Sequence, residues 1–314
     1  MWGSWLAWLG LLVGCGSVKV PQQDAGPGGD TPGAIDAPMI DASNQIQHLY
    51  VGNDMVTTGI ARYTLPMTPS STVDFTIPLV SDFDVTFDGA GNLVTDDNSG
   101  HIAIIEKPLS ASSSPVATFR NGTATAGGQV VLTPSGTMIA SGQGATLNVF
   151  VPPFTNSSVA ASSITSASLT NGFGVALDAA ANLYVSNPGN GASNLLMFPP
   201  PYASATVITA QVAGPLYRKI AITTTQLFVT SVGNSARVDV YTLPLTSGAA
   251  PTFSITTGVN APETVALDAD GRLYVGNLGN MTITRYSPPF SSGSSPDVTL
   301  NVGAVTIFGI AIGP

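Results

Sequence analysis

Arg218-Lys219 stand 45 residues after Phe173-Gly174 and 45 before Glu263-Thr264, and the same step leads back to Gly128-Gln129 and Phe83-Asp84. Two bases, two carboxylates, a carboxamide and two aromatic rings thus share one phase of a repeat. A second phase holds Asp97, Asn187 and Asn277, with Asn53, Gly142 and Ser231 in the remaining copies. An uneven ring of charges and aromatics suggests a pocket with polarity, where a purely structural ring would be monotonous.

Other chemistry is scarce. The only histidines, His48 and His101, each open an apolar segment with no cysteine or acidic cluster at metal spacing, so they read as strand-edge residues. Serine and threonine abound, but a nucleophile needs a base, and no G-x-S-x-G, H-E-x-x-H or P-loop occurs. Asp268-Ala-Asp-Gly271 matches the start of a calcium loop but lacks its closing glutamate, so it reads as a hairpin turn. The net charge of -9, with 9 Lys+Arg in no run, argues against nucleic acid and against docking on anionic lipid. All three tryptophans precede Cys15, which excludes tryptophan sugar platforms from the rest of the chain. A single cysteine excludes an intrachain disulfide.

The elements that position these residues follow from the repeat. VALDAAANLYVSN (175–187) returns as VALDADGRLYVGN (265–277). Shorter copies place aligned apolar residues at Leu49, Leu93, Met138, Leu183, Leu227 and Leu273, at intervals of 44, 45, 45, 44 and 46. Before each anchor comes a short apolar segment such as 174–177 or 264–267. After it comes a segment ending in aromatic–Pro, then a Ser/Gly/Pro turn and a fourth short segment. Gly91 and Gly271 supply hairpin turns. Four strands every 45 residues or so are a propeller blade. An inner strand between two blades is buried on both faces, which explains runs such as Val-Ala-Leu.

The copy at 48–77 lacks its inner strand, and the chain closes on an orphan, 308–314, that matches the start of a repeat. The expectation is an all-β, six-bladed β-propeller over 46–314, closed by the C-terminal strand joining the N-terminal blade, which removes a free sheet edge.

The pattern G-V-A-L-D…G-x-L-Y-V-x-N resembles the NHL and YVTN repeat propellers, and more distantly the gluconolactonase-like and streptogramin-lyase propellers. The resemblance covers all six repeats. It implies that inner-strand starts and second-strand ends meet at one mouth of the channel. Asp84, Gln129, Phe173, Arg218, Lys219 and Glu263 would then line a ligand site. The gluconolactonase-like family holds a divalent cation at such a mouth through Glu, Asn and Asp. Glu263, Asp97, Asn187 and Asn277 are the matching types here, with calcium or another divalent cation as the implied ion. Against this stands a structural reading, in which Asn and Asp end strands by turn bonding and Arg218 and Glu263 pair between blades.

Residues 2–13 form an apolar run too short to span a bilayer and of signal-peptide length. Leu12-Val-Gly-Cys15 resembles the lipobox of bacterial lipoproteins, although 1–13 holds no Lys or Arg. This implies a signal peptide at 1–14, lipidation of Cys15, and a flexible Gly/Pro/Asp/Ala tether through residue 45. Ser17 points to the outer membrane of a bacterial cell envelope. The expected function is a membrane-anchored, extracytoplasmic binding module for a protein, peptide or small molecule. The alternatives are a metal-dependent lactonase or lyase at the mouth, and a structural envelope role.

Overall fold

The computed structural model describes residues 46–314 except 54–58, 80–81, 123, 125, 190–191, 204, 208–211, 214, 234 and 304–305. The signal peptide at 1–14, the lipidated Cys15 and the tether expected through residue 45 lie outside the described residues. No helix occurs among those described, and the strands form six antiparallel sheets.

The first sheet joins β1 (His48–Asn53), β2 (Ile60–Thr64) and β3 (Phe75–Ile77). The second holds β4 (Asp82–Phe87), β5 (Leu93–Asp97), β6 (His101–Ile105) and β7 (Ala117–Arg120). The third holds β8 (Val130–Leu132), β9 (Met138–Ala140), β10 (Thr146–Phe150) and β11 (Ser162–Thr165). The fourth holds β12 (Val175–Leu177), β13 (Leu183–Pro188), β14 (Ala192–Phe198), β15 (Thr206–Val207) and β16 (Val212–Ala213). The fifth holds β17 (Pro215–Ile222), β18 (Gln226–Gly233), β19 (Arg237–Thr242) and β20 (Phe253–Ile255). The sixth holds β21 (Pro262–Leu267), β22 (Leu273–Asn277), β23 (Thr282–Tyr286) and β24 (Val298–Asn301). The last strand, β25 (Ile307–Gly313), pairs antiparallel with β1, with Leu49 opposite Ile312 and Val51 opposite Ile310. It is the innermost strand of the first blade, as expected from the orphan repeat.

Two details depart from four matching strands read from the sequence. The outer strand β11 has the sequence SSIT, too polar to signal a strand, and pairs with β10 through Leu147 opposite Ile164. The fourth blade carries a fifth strand, because β16 pairs with the mouth end of β14 beyond β15.

Packing explains the consecutive apolar residues. In β1, Leu49 and Val51 face the sixth blade beside Tyr274 and Ile283, whereas Tyr50 faces the second blade beside Val85 and Leu93. Both faces are dry, so alternation between apolar and polar residues is lost. Six such clusters of buried side chains lie one between each pair of adjacent blades, the sixth closing the ring. Each buried Leu, Val or Ile contributes about 1.5–3 kcal/mol.

The hairpins fold by side-chain capping. Asp88, Asp178 and Asp268 each accept two backbone N–H bonds across their own turn, and positive φ at Gly91 and Gly271 completes two of them. Asp268-Ala-Asp-Gly271 is thus a hairpin turn. Each third strand is followed by a cis X-Pro bond, from Leu65-Pro66 to Pro288-Pro289. The hairpins, these prolines and His48, the first residue of β1, share one end of the ring. The inner strands begin at the other end, the mouth.

Candidate functional site

The inner strands carry one residue each to the axis at a step of 45: Asp84, Gln129, Gly174, Lys219, Thr264 and Gly309. Three of these side chains bond to the backbone of the next blade. Asp84 Oδ2 accepts Val130 N–H at 2.9 Å, Gln129 Oε1 accepts Val175 N–H at 3.1 Å, and Thr264 Oγ1 accepts Ile310 N–H at 3.3 Å. Gln129 reaches further: Oε1 also accepts Ile220 N–H at 3.0 Å and Nε2 donates to Ile220 O at 2.9 Å, which ties the third blade to the fifth. Lys219 crosses the axis, with Nζ 2.7 Å from Asp84 Oδ1. Gly174 and Gly309 are the gaps that let the strands converge. A Cβ on Gly309 would come within 2.9 Å of Asp84 Cα, and one on Gly174 would strike the Arg218 carbonyl.

Bulges at the mouth aim the neighbouring residues. The pairing register shifts between Asp82 and Asp84, between Tyr217 and Ile220, and between Pro262 and Thr264. A bulge places consecutive side chains where a regular strand would send one away. Arg218 and Lys219 can therefore both work near the axis. The Arg218 guanidinium lies 4.7 Å from the Phe173 ring centroid on the fourth blade, and its Nε lies 3.4 Å from Glu263 Oε1 on the sixth. The Arg218 side chain is 27% exposed, against 4% for Glu263 and 0% for Lys219. Arg218 is thus the polar group of this cluster that meets solvent.

Burial pushes the Glu263 carboxyl up, opposed by the charges of Arg218 and Lys219. It raises Asp84 as well, opposed by Lys219 and by backbone N–H donors. The strongest such case is Asp96 on β5, which the sequence reading missed. Asp96 lies opposite Asp84 in register, is fully buried, and is raised well above the usual carboxylate range by burial and then by the charges of Asp84 and Asp97. Its Oδ2 accepts Gly128 N–H at 3.2 Å, and its Oδ1 has no partner among the described residues. A signal existed: the same phase holds Gly52, Ser141, Ser186, Thr230 and Gly276 in the other blades, so Asp96 is its sole acid.

The expected cation ligands are held in other bonds. Asn187 Oδ1 accepts Thr170 N–H at 2.9 Å and Asn171 N–H at 2.8 Å, while its Nδ2 donates to Ser168 O and Asn194 Oδ1. Asn277 Oδ1 accepts Asn260 N–H at 2.9 Å, and its Nδ2 donates to Gly258 O and Thr284 Oγ1. These carboxamides pin the loop that enters their own blade. Asp97 folds its own turn, accepting Ser99 N–H and His101 N–H, and lies 3.1 Å from His101 Nδ1. Glu263 pairs with Arg218. The structural reading of the Asn and Asp positions therefore describes their bonding. Among the described residues, no group of three or more His, Cys, Asp or Glu is placed to hold a metal.

A profile of the strictosidine synthase-like N-terminal family matches residues 253–279, a small part of the chain. No curated protein matches. Among solved structures, the chain is similar to a protein of a nidogen/laminin complex (TM-score 0.66, 16% identity, 85% of this chain and 98% of that one). It is similar to the periplasmic gluconolactonase of Pseudomonas aeruginosa (TM-score 0.60, 11% identity, 85% and 99%). It is also similar to a candidate 6-phosphogluconolactonase of Bacteroides fragilis (TM-score 0.61, 11% identity, 85% and 98%). At 11–16% identity these likenesses concern the fold alone: the chain is a six-bladed β-propeller, similar in fold to these proteins.

Proposed function

We propose that this chain is a membrane-anchored, extracytoplasmic binding module of the NHL/YVTN-repeat kind. One observation carries the reading: the axial side chains that could do chemistry bond to each other and to neighbouring blades. Asp84 has both oxygens engaged, one by Lys219 and one by Val130 N–H. The Lys219 ammonium supplies the positive charge that a divalent cation would otherwise bring to Asp84. This weakens the alternative of a calcium-dependent lactonase or lyase, because catalysis needs groups free to engage substrate. What the mouth offers is a partly exposed guanidinium stacked on Phe173 and flanked by Glu263. That arrangement fits a partner presenting a carbonyl or carboxylate acceptor, whether on a protein, a peptide or a small molecule.

The anchor fits the same picture. β1 begins at the end of the ring opposite the mouth. In this reading Cys15 is lipidated and holds the chain at the outer membrane of a bacterial envelope. Among the described residues no helix is long and apolar enough to cross a membrane.

Two measurements test the proposal. Cys15→Ser should move the protein from the membrane to the soluble fraction, and continued membrane association would overturn the anchor. Gluconolactone hydrolysis should proceed at the buffer rate with or without added calcium. A calcium-dependent rate that Glu263→Gln abolishes would instead establish the enzyme.

A further inference from the structure

We propose that a cavity between the first and second blades, beside the strand that closes the ring, binds a small organic monocarboxylate, with the carboxylate held between Arg62 and Lys107. The site lies at the hairpin end of the ring, opposite the mouth, so it goes beyond the reading above and does not depend on it. The cavity measures about 230 Å³. Its walls are Tyr50 and Arg62 of the first blade, Lys107, Pro108 and Leu109 of the second, and Pro314 after β25. A Cβ built on Gly91 would stand 3.5 Å from Lys107 Nζ and 3.3 Å from Pro314 Cγ, so the ammonium and the end of the closing strand meet over that glycine.

The equivalent places between other blades show what is missing here. Tyr50, Tyr184 and Tyr274 occupy one phase of the repeat. The hydroxyl of Tyr184 donates to Asp178 Oδ2 at 3.2 Å, and that of Tyr274 to Asp268 Oδ2 at 3.1 Å. Both aspartates belong to the hairpin that leads into the tyrosine's own strand. No hairpin joins β25 to β1, so Tyr50 has no such aspartate and donates to Pro314 O at 2.7 Å. The sixth blade has the full set: Tyr274, Asp268, and Arg285 with its Nε 2.8 Å from Asp297 Oδ1. The first blade repeats Tyr50 and Arg62, with Arg62 Nε 3.1 Å from Asp74 Oδ2 and its guanidinium 4.2 Å from the Phe75 ring centroid. It lacks only the hairpin carboxylate.

The covering residues differ as well. Leu65 and Met67 are buried beside Tyr274, and Leu245 is buried beside Tyr184 with Leu243 packed against it. Their counterparts on the second blade are Lys107 and Leu109. Lys107 is exposed, and among the described residues it forms no ion pair. An apolar plug in two places is thus a cation here, and a space is left beneath it. A carboxylate entering that space takes the place of the absent aspartate and accepts charge-assisted bonds from a guanidinium and an ammonium. Tyr50, Leu109 and the two prolines then cover an apolar body. A cavity of about 150 Å³ takes a benzene ring, so this one has room for a ring bearing a carboxylate. Inorganic phosphate is strongly hydrated and would leave those apolar walls uncovered.

The test is titration calorimetry of the full-length chain with sodium benzoate, with benzamide and inorganic phosphate as probes of charge and shape. Benzoate should bind saturably at one site, and benzamide and phosphate at least about tenfold more weakly. Lys107→Leu copies Leu65 and Leu243 of the other blades, so it should fold and weaken benzoate binding about tenfold or more. Nuclear Overhauser contacts from the benzoate ring should reach Tyr50 and Leu109. The proposal is overturned if benzoate gives no saturable heat, if benzamide or phosphate matches it, or if Lys107→Leu binds as the wild type does. Ring contacts to Phe173 in place of Tyr50 would also overturn it, since they would put the carboxylate at the mouth. Should Lys107→Leu fail to fold, Lys107→Gln carries the same expectation, and the ring contacts in the wild type still decide.

Discussion

Lys219 Nζ lies 2.7 Å from Asp84 Oδ1 across the axis of the propeller, although 135 residues separate them in the chain. The two belong to the second and fifth blades, which are opposite one another in a ring of six. A step of 45 residues taken three times brings a residue to the far side of the axis. The ion pair is therefore a diameter of the fold, and with the Gln129–Ile220 bonds it joins blades that are not neighbours in the ring.

Breaking that diameter should cost more than removing it. Lys219→Met leaves the buried Asp84 carboxylate without its cation, and the expected loss is about 3–5 kcal/mol in urea unfolding. Asp84→Asn combined with Lys219→Met should recover a substantial part, because no unpaired charge remains. A double variant as unstable as Lys219→Met would show that the pair is not the source of the loss.

Closure by β25 should be needed for a cooperative fold. Truncation after Thr306 removes the strand that pairs with β1 from His48 to Asn53, and with it Ile307 and Ile310 from the cluster between the first and sixth blades. The exposed edge of β1 would be free to pair with other chains. Thermal unfolding should broaden and shift down, and size-exclusion chromatography should show association. A sharp, unshifted transition in a monomer would contradict the closure role.

Asn187 and Asn277 should behave as loop pins. Each replaced by alanine deprives part-buried loop N–H groups of their acceptor, at an expected cost of about 0.5–1.5 kcal/mol. Added calcium should not restore the lost stability or shift the wild-type melting temperature. A calcium-dependent shift abolished by either substitution would return these residues to a cation site.

Glu263 should make the protein less stable as pH rises. Its folded pKa is raised by burial above the unfolded value of about 4.3. Between the two values the folded state binds more protons than the unfolded state, so stability falls with pH there. The contribution is fully present below about pH 4 and is lost as pH climbs through the folded pKa. Glu263→Gln should flatten that part of the profile in denaturant titrations at a series of pH values. An unchanged slope would mean that Arg218 cancels the effect of burial.

Much of the fold was legible before any coordinates. The near-constant spacing from Leu49 to Leu273 marks the blades because every blade must solve the same packing problem between two neighbours. The orphan at 308–314 foretold closure because a ring cannot leave one inner strand unpaired. Less legible were β11, whose residues SSIT are mostly exposed, and β16, which follows no repeat. Asp96 is also hard to read, because it lies one residue inside the end of β5, in a phase that holds glycine, serine or threonine in every other blade.

The chain alone determined the repeat, its count and its closure, since these follow from local patterns of apolar residues and turns read one period at a time. Only the tertiary structure decided which polar groups meet. Asp84 finds Lys219, Gln129 finds Ile220, and Asn187 turns away to its loop. Those partners are set by the angle between blades and by bulges at the mouth, which bring together residues from distant repeats. No spacing along a single strand encodes such distances.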